Sequence, residues 1–184
     1  QVPTQQVAHM LVRQPRLFYN RKPEVLSARL YALQQHLGLD AAAALQLVTG
    51  SPTLLTSKLE ARLPLLLRFL DGYMGEEGAG CRLVRTQPAL CTIAAAVVER
   101  SVRNLAARGY SQQDIRQMIS KQPNLLLLNL DSPLQRQKLD WMERVSPWTL
   151  HDFLSSPTYL SGATTRRLAA RLALLRACKL QEPP

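Results

Sequence analysis

Residues with a branched β-carbon are scarce in this chain of 184 residues. It contains 3 isoleucines and 10 valines, against 35 leucines and 20 alanines. Leu and Ala lose little side-chain entropy in a helix, whereas β-branched residues favour strands. The composition therefore points away from a sheet-based fold and predicts an all-α protein.

Cysteines and long apolar runs are also scarce. Cys81, Cys91 and Cys178 form neither a disulfide framework nor a CxxC metal pair, so we expect reduced thiols packed as small apolar residues. No apolar run approaches the roughly 18 residues that a membrane span needs. With 46% hydrophobic and 20% charged residues, the chain is predicted to fold, and collagen-like and low-complexity classes are excluded.

Catalytic and metal-binding patterns are missing from the sequence. His9, His36 and His151 lie far apart and share no repeat position, so we expect surface or capping roles for them. The acidic residues show no metal-site spacing. The glycines of residues 72–80 follow no strand and lack the Lys-Ser/Thr ending of a phosphate loop. We therefore expect a non-enzymatic protein with no metal and no cofactor.

Prolines mark an internal repeat. Five of them recur at intervals of 37, 36, 35 and 34 residues, at Pro15, Pro52, Pro88, Pro123 and Pro157. The fourth residue before each proline is apolar, and so are the second and third residues after it. Three apolar columns in register with the prolines indicate five copies of one structural unit.

Each unit is predicted to contain a short helix, a tight turn and a longer helix. The short helices precede the prolines, for example at Thr4–Gln14, Asp40–Gly50 and Ser111–Gln122. Proline lacks an amide hydrogen and disfavours the αR conformation in its predecessor, so it ends the short helix and can start a new turn. The Pro-x-Leu-Leu segment is predicted to be a 3₁₀ turn whose apolar side chains, such as Leu54 and Leu125, are buried.

The longer helices carry an apolar stripe at the helical period. In the first two units the stripe residues are Leu26, Leu30, Leu33, Leu37 and Leu59, Leu63, Leu66, Leu70. In the last three they are Val98, Val102, Leu105, then Leu134, Leu139, Met142, Val145, then Leu168, Leu172, Leu175. One such unit cannot bury its stripe alone, so stacking of neighbours is expected.

Residues at the ends of these helices are typical of start and stop signals. Predicted starts are a capping box of Ser57 with Glu60, a second box of Ser111 with Asp114, and Ser132 before Pro133. Predicted stops are Gly38, Gly72 and Gly109. Residues 71–80, which hold four of the eight glycines, are predicted to be a flexible connection, with a functional hinge or contact loop as the alternative.

The predicted architecture is a curved α-solenoid of about five repeats of about 35 residues, each with two α-helices and a short 3₁₀ turn. We expect one helical-repeat domain over residues 1–184, with units broken near the five prolines and a tail at 181–184. The chain begins with Gln1, from which we expect a processed or trimmed chain without its transit peptide.

Basic residues are ordered along the predicted long helices. The chain has 23 Lys and Arg, 18 of them Arg, against 13 Asp and Glu, and its net charge is +10. In four units a base directly precedes the second apolar residue of the stripe, and the third unit has Ser101 there. A regular row of cations suits a phosphodiester backbone. We predict nucleic-acid contacts at Arg29, Arg62, Arg68, Arg100, Arg103, Arg136, Lys138, Arg167 and Arg171.

Two further observations bear on this prediction. The alternative for any single base is a solvated helix face, where Arg stems cover apolar surface. Aromatic residues make up only 5% and do not repeat, and Trp141 and Trp148 are expected to pack rather than stack on bases. The sequence therefore favours a duplex or folded RNA over unstacked single strands, without separating DNA from RNA.

The repeat resembles that of the mitochondrial transcription termination factor (mTERF) family. The resemblance lies in the segments Leu11–Phe18, Val48–Leu55 and Ile119–Leu126, each with proline at its fifth position, and in the joints 37–39 (Leu-Gly-Leu) and 109–111 (Gly-Tyr-Ser). It extends over roughly residues 4–180. Tetratricopeptide and pentatricopeptide repeats have similar periods, but the first needs Trp and Leu-Gly early in each unit and the second is not expected to repeat Pro-x-Leu-Leu.

The resemblance implies a nucleic-acid-binding protein of organelle gene expression with a basic concave face. Its expected partner is duplex DNA or ribosomal RNA, its expected role is of the transcription termination or regulation type, and its expected compartment is the mitochondrion, with the chloroplast as alternative. A second hypothesis is a structural or assembly component of an organelle ribosome, which binds ribosomal RNA and contacts ribosomal proteins. No membrane and no small-molecule substrate are expected.

Overall fold

The computed structural model describes residues 4–19 and 22–145, together with 166–167, 169–170 and 173–174. Within these residues the chain is helical and contains no strand, which confirms the all-α prediction. The chain divides into two compact units, residues 1–96 and residues 97–184. The fifth predicted repeat, around Pro157, lies outside the described residues apart from the three short pieces after 165. One continuous solenoid over 1–184, with a tail at 181–184, stays a prediction.

The first compact unit contains two complete helix–turn–helix triads and most of a third. Its elements in chain order are α1 (Thr4–Arg13), α2 (Arg16–Tyr19), α3 (Pro23–Leu37), α4 (Ala41–Gly50), the 3₁₀ helix η1 (Pro52–Thr56), α5 (Leu59–Met74), α6 (Ala79–Thr86) and the 3₁₀ helix η2 (Pro88–Thr92). Helix α5 packs against α3 and α6, and η1 packs against η2. The core of this unit is therefore formed between successive triads.

The second compact unit follows the same order. It contains most of α7 (Ala95–Ala107), then α8 (Gln112–Lys121), the 3₁₀ helix η3 (Pro123–Leu127) and α9 (Pro133–Val145). Helix α8 packs on η3. Leu105, Ile115, Ile119 and Leu126 are fully buried here, which places the apolar face of each helix in the interior.

The predicted 3₁₀ turns are confirmed at three of the five prolines. Pro52, Pro88 and Pro123 each begin a 3₁₀ helix. Leu54 and Leu125 are 0% and 1% exposed, as predicted. The turn after Pro15 differs, because residues 16–19 form a single α-helical turn.

Two of the three predicted helix starts are confirmed. Ser111 accepts from the Asp114 amide at 3.2 Å, and the Asp114 carboxylate accepts from the Ser111 amide at 2.9 Å, which completes the capping box. Ser132 accepts from the amide of Gln135 at 3.3 Å. The box at Ser57 is wrong. That residue ends η1 and its hydroxyl donates to Thr53, so α5 starts without a side-chain cap.

Gly38 and Gly109 end their helices in positive φ, at 58° and 96°, as predicted. The stop predicted at Gly72 is wrong, because α5 continues to Met74 and ends at Gly75. The connection predicted over residues 71–80 is shorter in the structure, because only residues 75–78 lie between the two helices. The segment is the end of α5, a tight turn and the start of α6, tied by a 2.7 Å hydrogen bond from the Gly80 amide to the carboxylate of Asp71.

The described apolar stripes are buried except at three positions, because Leu26 and Leu30 of α3 are half-buried and Leu134 of α9 is exposed. All four stripe residues of α5 are 0% exposed, and the three of α7 are at most 7% exposed. In α9, Leu139 is buried, but Leu134 in the first turn is 67% exposed, so its place in the stripe is wrong. The side chains of Met142 and Val145, and the stripe of the fifth unit, lie outside the described part of the chain.

Candidate nucleic-acid interface

Arg29 lies in α3 at the predicted cationic position, yet its side chain is buried. The residue is 3% exposed, and its guanidinium donates a hydrogen bond to the main-chain carbonyl of Leu55 in η1. Its Nε lies 3.6 Å from the carboxylate of Glu60. Arg29 therefore binds the turn of the next triad and does not face solvent.

The equivalent residues of the next two long helices contact the same part of the next turn. Arg62 in α5 donates to the carbonyl of Thr92, the last residue of η2, over a long 3.5 Å contact. Ser101 in α7 lies 3.4 Å and 3.1 Å from the carbonyls of Leu126 and Leu128, at the end of η3. The last carbonyls of a short helix lack intrahelical partners, so a side-chain donor from the preceding helix satisfies them. We call this the turn-capping position.

Lys138 is the residue of α9 equivalent to Arg29 in the repeat, and it is 4% exposed, while the turn that would follow α9 lies outside the described residues. Burial lowers the pKa of its ammonium group to about 8. Arg29 and Lys138 are therefore corrected as nucleic-acid contacts, because side chains enclosed by protein are not available to a phosphate. The sequence contained one indication of this structural role. The third unit has Ser101 at this position, and a serine cannot pair with a phosphate as an arginine does but can donate a hydrogen bond to a carbonyl.

Four other predicted contacts in the described helices are exposed. Arg68 and Arg100 form no ion pair within residues 22–145. Arg103 pairs with Glu99 one turn earlier, and Arg136 lies 3.3 Å from the carboxylate of Asp131. A carboxylate partner offsets the charge that a phosphate would meet, so these two are weaker candidates than the first two.

Of the three remaining predicted contacts, two are exposed and one lies outside the described residues. Arg62 is exposed despite its contact with Thr92, so its guanidinium can also meet solvent. Arg167 is exposed in a short described piece of helix. Arg171 lies outside the described residues.

Arginines outside the predicted set also bind main-chain carbonyls. Arg13 donates to Gly50, the last residue of α4, at 3.1 Å. Arg85 donates to Leu37 and, at 3.2 Å, to Gly38 at the end of α3. Cationic groups near helix C-termini also interact favourably with the helix dipole. Part of the arginine excess is therefore structural, which composition alone could not reveal.

A small pocket lies beside Ser101 in the second compact unit. Its volume is about 110 Å³, and its walls are α7, through Arg100, Ser101 and Asn104, and residues 127–130 after η3. The Asn104 amide nitrogen donates to the Asp131 carboxylate at 2.9 Å. This hydrogen bond, with smaller effects from Arg136 and Arg100, lowers the pKa of the Asp131 carboxyl group below its usual value.

The cysteines and histidines of the described part show no reactive arrangement. Cys91 is buried, and burial raises the pKa of its thiol to about 12. Cys81 is half-buried, and its pKa is raised by the same cause. His36 is exposed, and His151 and Cys178 lie outside the described residues.

In the described ranges, no cluster of three or more His, Cys, Asp and Glu side chains is arranged to bind a metal, and no helix combines the length and apolarity of a membrane span.

Comparison with protein families gives one finding over the whole chain. The profile of the mTERF family matches residues 1–184. No curated protein matches the chain at a significant level.

Proposed function

The chain belongs to the mTERF family, and from this membership we propose that it is a non-enzymatic nucleic-acid-binding protein of organelle gene expression, of the transcription termination or regulation type. Its proposed compartment is the mitochondrion, with the chloroplast as alternative. Family membership supports nucleic-acid binding in general. The residues that make the contacts are argued from exposure and charge.

The observation that carries the proposal is a set of exposed arginines on the long helices. Arg62 and Arg68 belong to α5 and Arg100 to α7, and all three are exposed. None of the three forms an ion pair within the described residues. An exposed guanidinium outside an ion pair can still attract a phosphate, although Arg100 also acts on the Asp131 carboxylate and Arg62 also contacts the Thr92 carbonyl. We call these three residues the arginine set.

In this proposal, basic residues on the long helices of successive repeats contact the nucleic-acid backbone. In a curved α-solenoid, the long helices of successive repeats lie side by side, and cations at matching positions follow the backbone of a nucleic acid. Two of the basic residues that the sequence predicted as nucleic-acid contacts, Arg29 and Lys138, are buried. The proposed contact therefore rests on the arginine set, with Arg167 as a further exposed candidate.

The test measures binding of a mixed-sequence nucleic-acid duplex against salt concentration. Replacing all three residues of the arginine set by Gln should reduce the slope of log K against log salt by about 2–3, because each lost phosphate contact removes about one released counterion. The matched control replaces Arg103 and Arg136, whose charges already face Glu99 and Asp131, and should reduce the slope by less than about 1. Unchanged slope and affinity in the triple variant, with helix content intact, would reject the proposal.

A second candidate function is a structural or assembly component of an organelle ribosome. The burial of Arg29 and Lys138 favours it, because it leaves fewer cations for a long duplex than the sequence suggested. This role predicts weak binding of the isolated chain to any free duplex and co-sedimentation with ribosomal subunits. Sedimentation of the native protein away from the subunits would reject it.

A further inference from the structure

The pocket beside Ser101 lies where the turn-capping position holds a short side chain in place of an arginine. In the preceding triads, Arg29 and Arg62 extend from the long helix to the carbonyls at the end of the next 3₁₀ helix. Ser101 satisfies the same region from close by, and about 110 Å³ beside it is left open. This volume equals about three to four waters at about 30 Å³ each, which suits one small polar group and its carbon neighbours.

Two carbonyls in this pocket compete for one hydrogen. The Ser101 hydroxyl has one hydrogen, yet the carbonyls of Leu126 and Leu128 lie 3.4 Å and 3.1 Å from its oxygen, so it cannot donate fully to both. The Asn104 amide nitrogen is bound to Asp131, whose ionised carboxylate can only accept. This fixes the orientation of the amide and leaves its Oδ1 as the acceptor that Asn104 offers to a ligand.

A cation completes the site. Arg100 lines the pocket, is exposed, and forms no ion pair within the described residues. The carbonyl oxygens and the nearby Asp131 carboxylate would repel a phosphate inside the pocket, and the charge of Arg100 offsets the attraction of Asp131 for a metal ion or an amine. The chemistry that fits is a neutral hydroxyl that donates into the pocket, attached to an anion that Arg100 can reach. Residues 127, 128 and 130 are leucines, which provide an apolar wall for a sugar ring.

We infer that this pocket receives the 2′-hydroxyl of one ribose in an RNA strand, while Arg100 pairs with the adjacent phosphate. The inference rests on the proposed function, since it names which nucleic acid the same surface prefers. In RNA helices the 2′-hydroxyls line the wide minor groove, where a protein side chain can reach them. DNA has no hydroxyl at this carbon and would leave Asn104 without the hydrogen bond.

The experiment compares a labelled mixed-sequence RNA duplex with a DNA duplex of the same sequence and length, at one salt concentration. The natural chain should bind the RNA about tenfold more tightly, which is what one hydrogen bond to a ligand is worth. Ser101→Arg should abolish this preference, because an arginine there would fill the pocket and cap η3 as Arg29 caps η1. Asn104→Leu should also abolish it, through loss of the acceptor.

Two controls separate binding from folding. Ser101→Ala removes the hydroxyl but leaves the pocket open, so it should keep the RNA preference. Arg103→Gln removes a charge from the same helix outside the pocket and should keep it as well. Equal and tight binding of RNA and DNA by the natural chain would overturn the inference and leave the proposed function standing. A full RNA preference in folded Ser101→Arg or Asn104→Leu would overturn it too, whereas binding of neither duplex would reject the proposed function itself.

Discussion

The guanidinium of Arg29 is hydrogen-bonded to the main-chain carbonyl of Leu55, 26 residues further along the chain. One partner lies in a long helix and the other in the 3₁₀ helix of the next triad. Both residues are buried, so the interaction is shielded from water and salt. The regular spacing of bases along the sequence therefore has a structural origin at this position.

Replacing Arg29 by Ala should lower the free energy of unfolding by about 2–4 kcal/mol. The change leaves a buried carbonyl without its donor and opens a cavity between α3 and η1. Urea unfolding followed by circular dichroism would measure it. The matched control is Arg68→Ala on the exposed face of α5, which should change stability by less than about 0.5 kcal/mol. Equal losses in the two variants would contradict the capping role.

Gly80 and Gly72 should respond oppositely to alanine. A Cβ on Gly80 would lie 3.0 Å from the Leu67 carbonyl oxygen and 3.1 Å from the Asp71 carboxylate, so α5 and α6 would have to separate. We expect a loss of about 1–3 kcal/mol. Gly72 lies within α5 with nothing within 4 Å of its Cβ position, and alanine there should stabilise by up to about 1 kcal/mol. Thermal unfolding of both variants checks the pair, and a stabilised Gly80→Ala would refute the close packing.

The capping box at the start of α8 predicts a measurable asymmetry between two serines. Ser111→Ala removes the acceptor of the Asp114 amide and should cost about 1 kcal/mol. Ser57→Ala should cost less, because Ser57 caps no α-helix and donates only to a carbonyl in its own turn. Denaturant midpoints of the two variants provide the comparison, and the reverse order of effects would argue against the assigned caps.

Lys138 should make stability depend on alkaline pH. Its folded-state pKa of about 8 lies below the ordinary value of 10.5, so between these pH values the unfolded chain binds the extra proton. Stability should therefore rise with pH across this window, and Lys138→Met should remove that rise. Below pH 8 the lysine is protonated in both the folded and the unfolded chain, so the difference in stability between the two proteins should not change with pH there. A difference between the two proteins that stays constant from pH 8 to 10.5 would refute this.

The sequence predicted the repeat well because its signals are local. Proline at the start of each 3₁₀ helix, Ser111 with Asp114 at the start of α8 and Gly38 at the end of α3 act within a few residues, where backbone chemistry decides the outcome. The prediction of a capping box at Ser57 was wrong because its hydroxyl donates a hydrogen bond to the Thr53 carbonyl in the preceding 3₁₀ helix. Gly72 failed because glycine permits a helix end without requiring one.

The candidate site was harder to predict, because burial of a base depends on a distant acceptor. Arg29 and Lys138 lie one helical step, about 100°, from the buried stripe, where a long side chain can turn either towards solvent or towards the next triad. For Arg29 the decision depends on the Leu55 carbonyl, which no local pattern reveals. The exposed Arg68 and Arg100 agree with the sequence prediction of surface position, while their contact with nucleic acid stays a prediction.

The turn-capping position also limits how small a folded fragment of this protein can be. The carbonyls at the end of η1 and η3 receive their donors from Arg29 and Ser101, which belong to the helices before them. A triad excised alone would expose these oxygens to water and lose the side chain that donates to them. The hydrogen bonds between adjacent triads join residues only 25–37 apart in sequence. We therefore expect a pair of adjacent triads to be the smallest fragment that folds cooperatively, and folding to spread from one triad to the next.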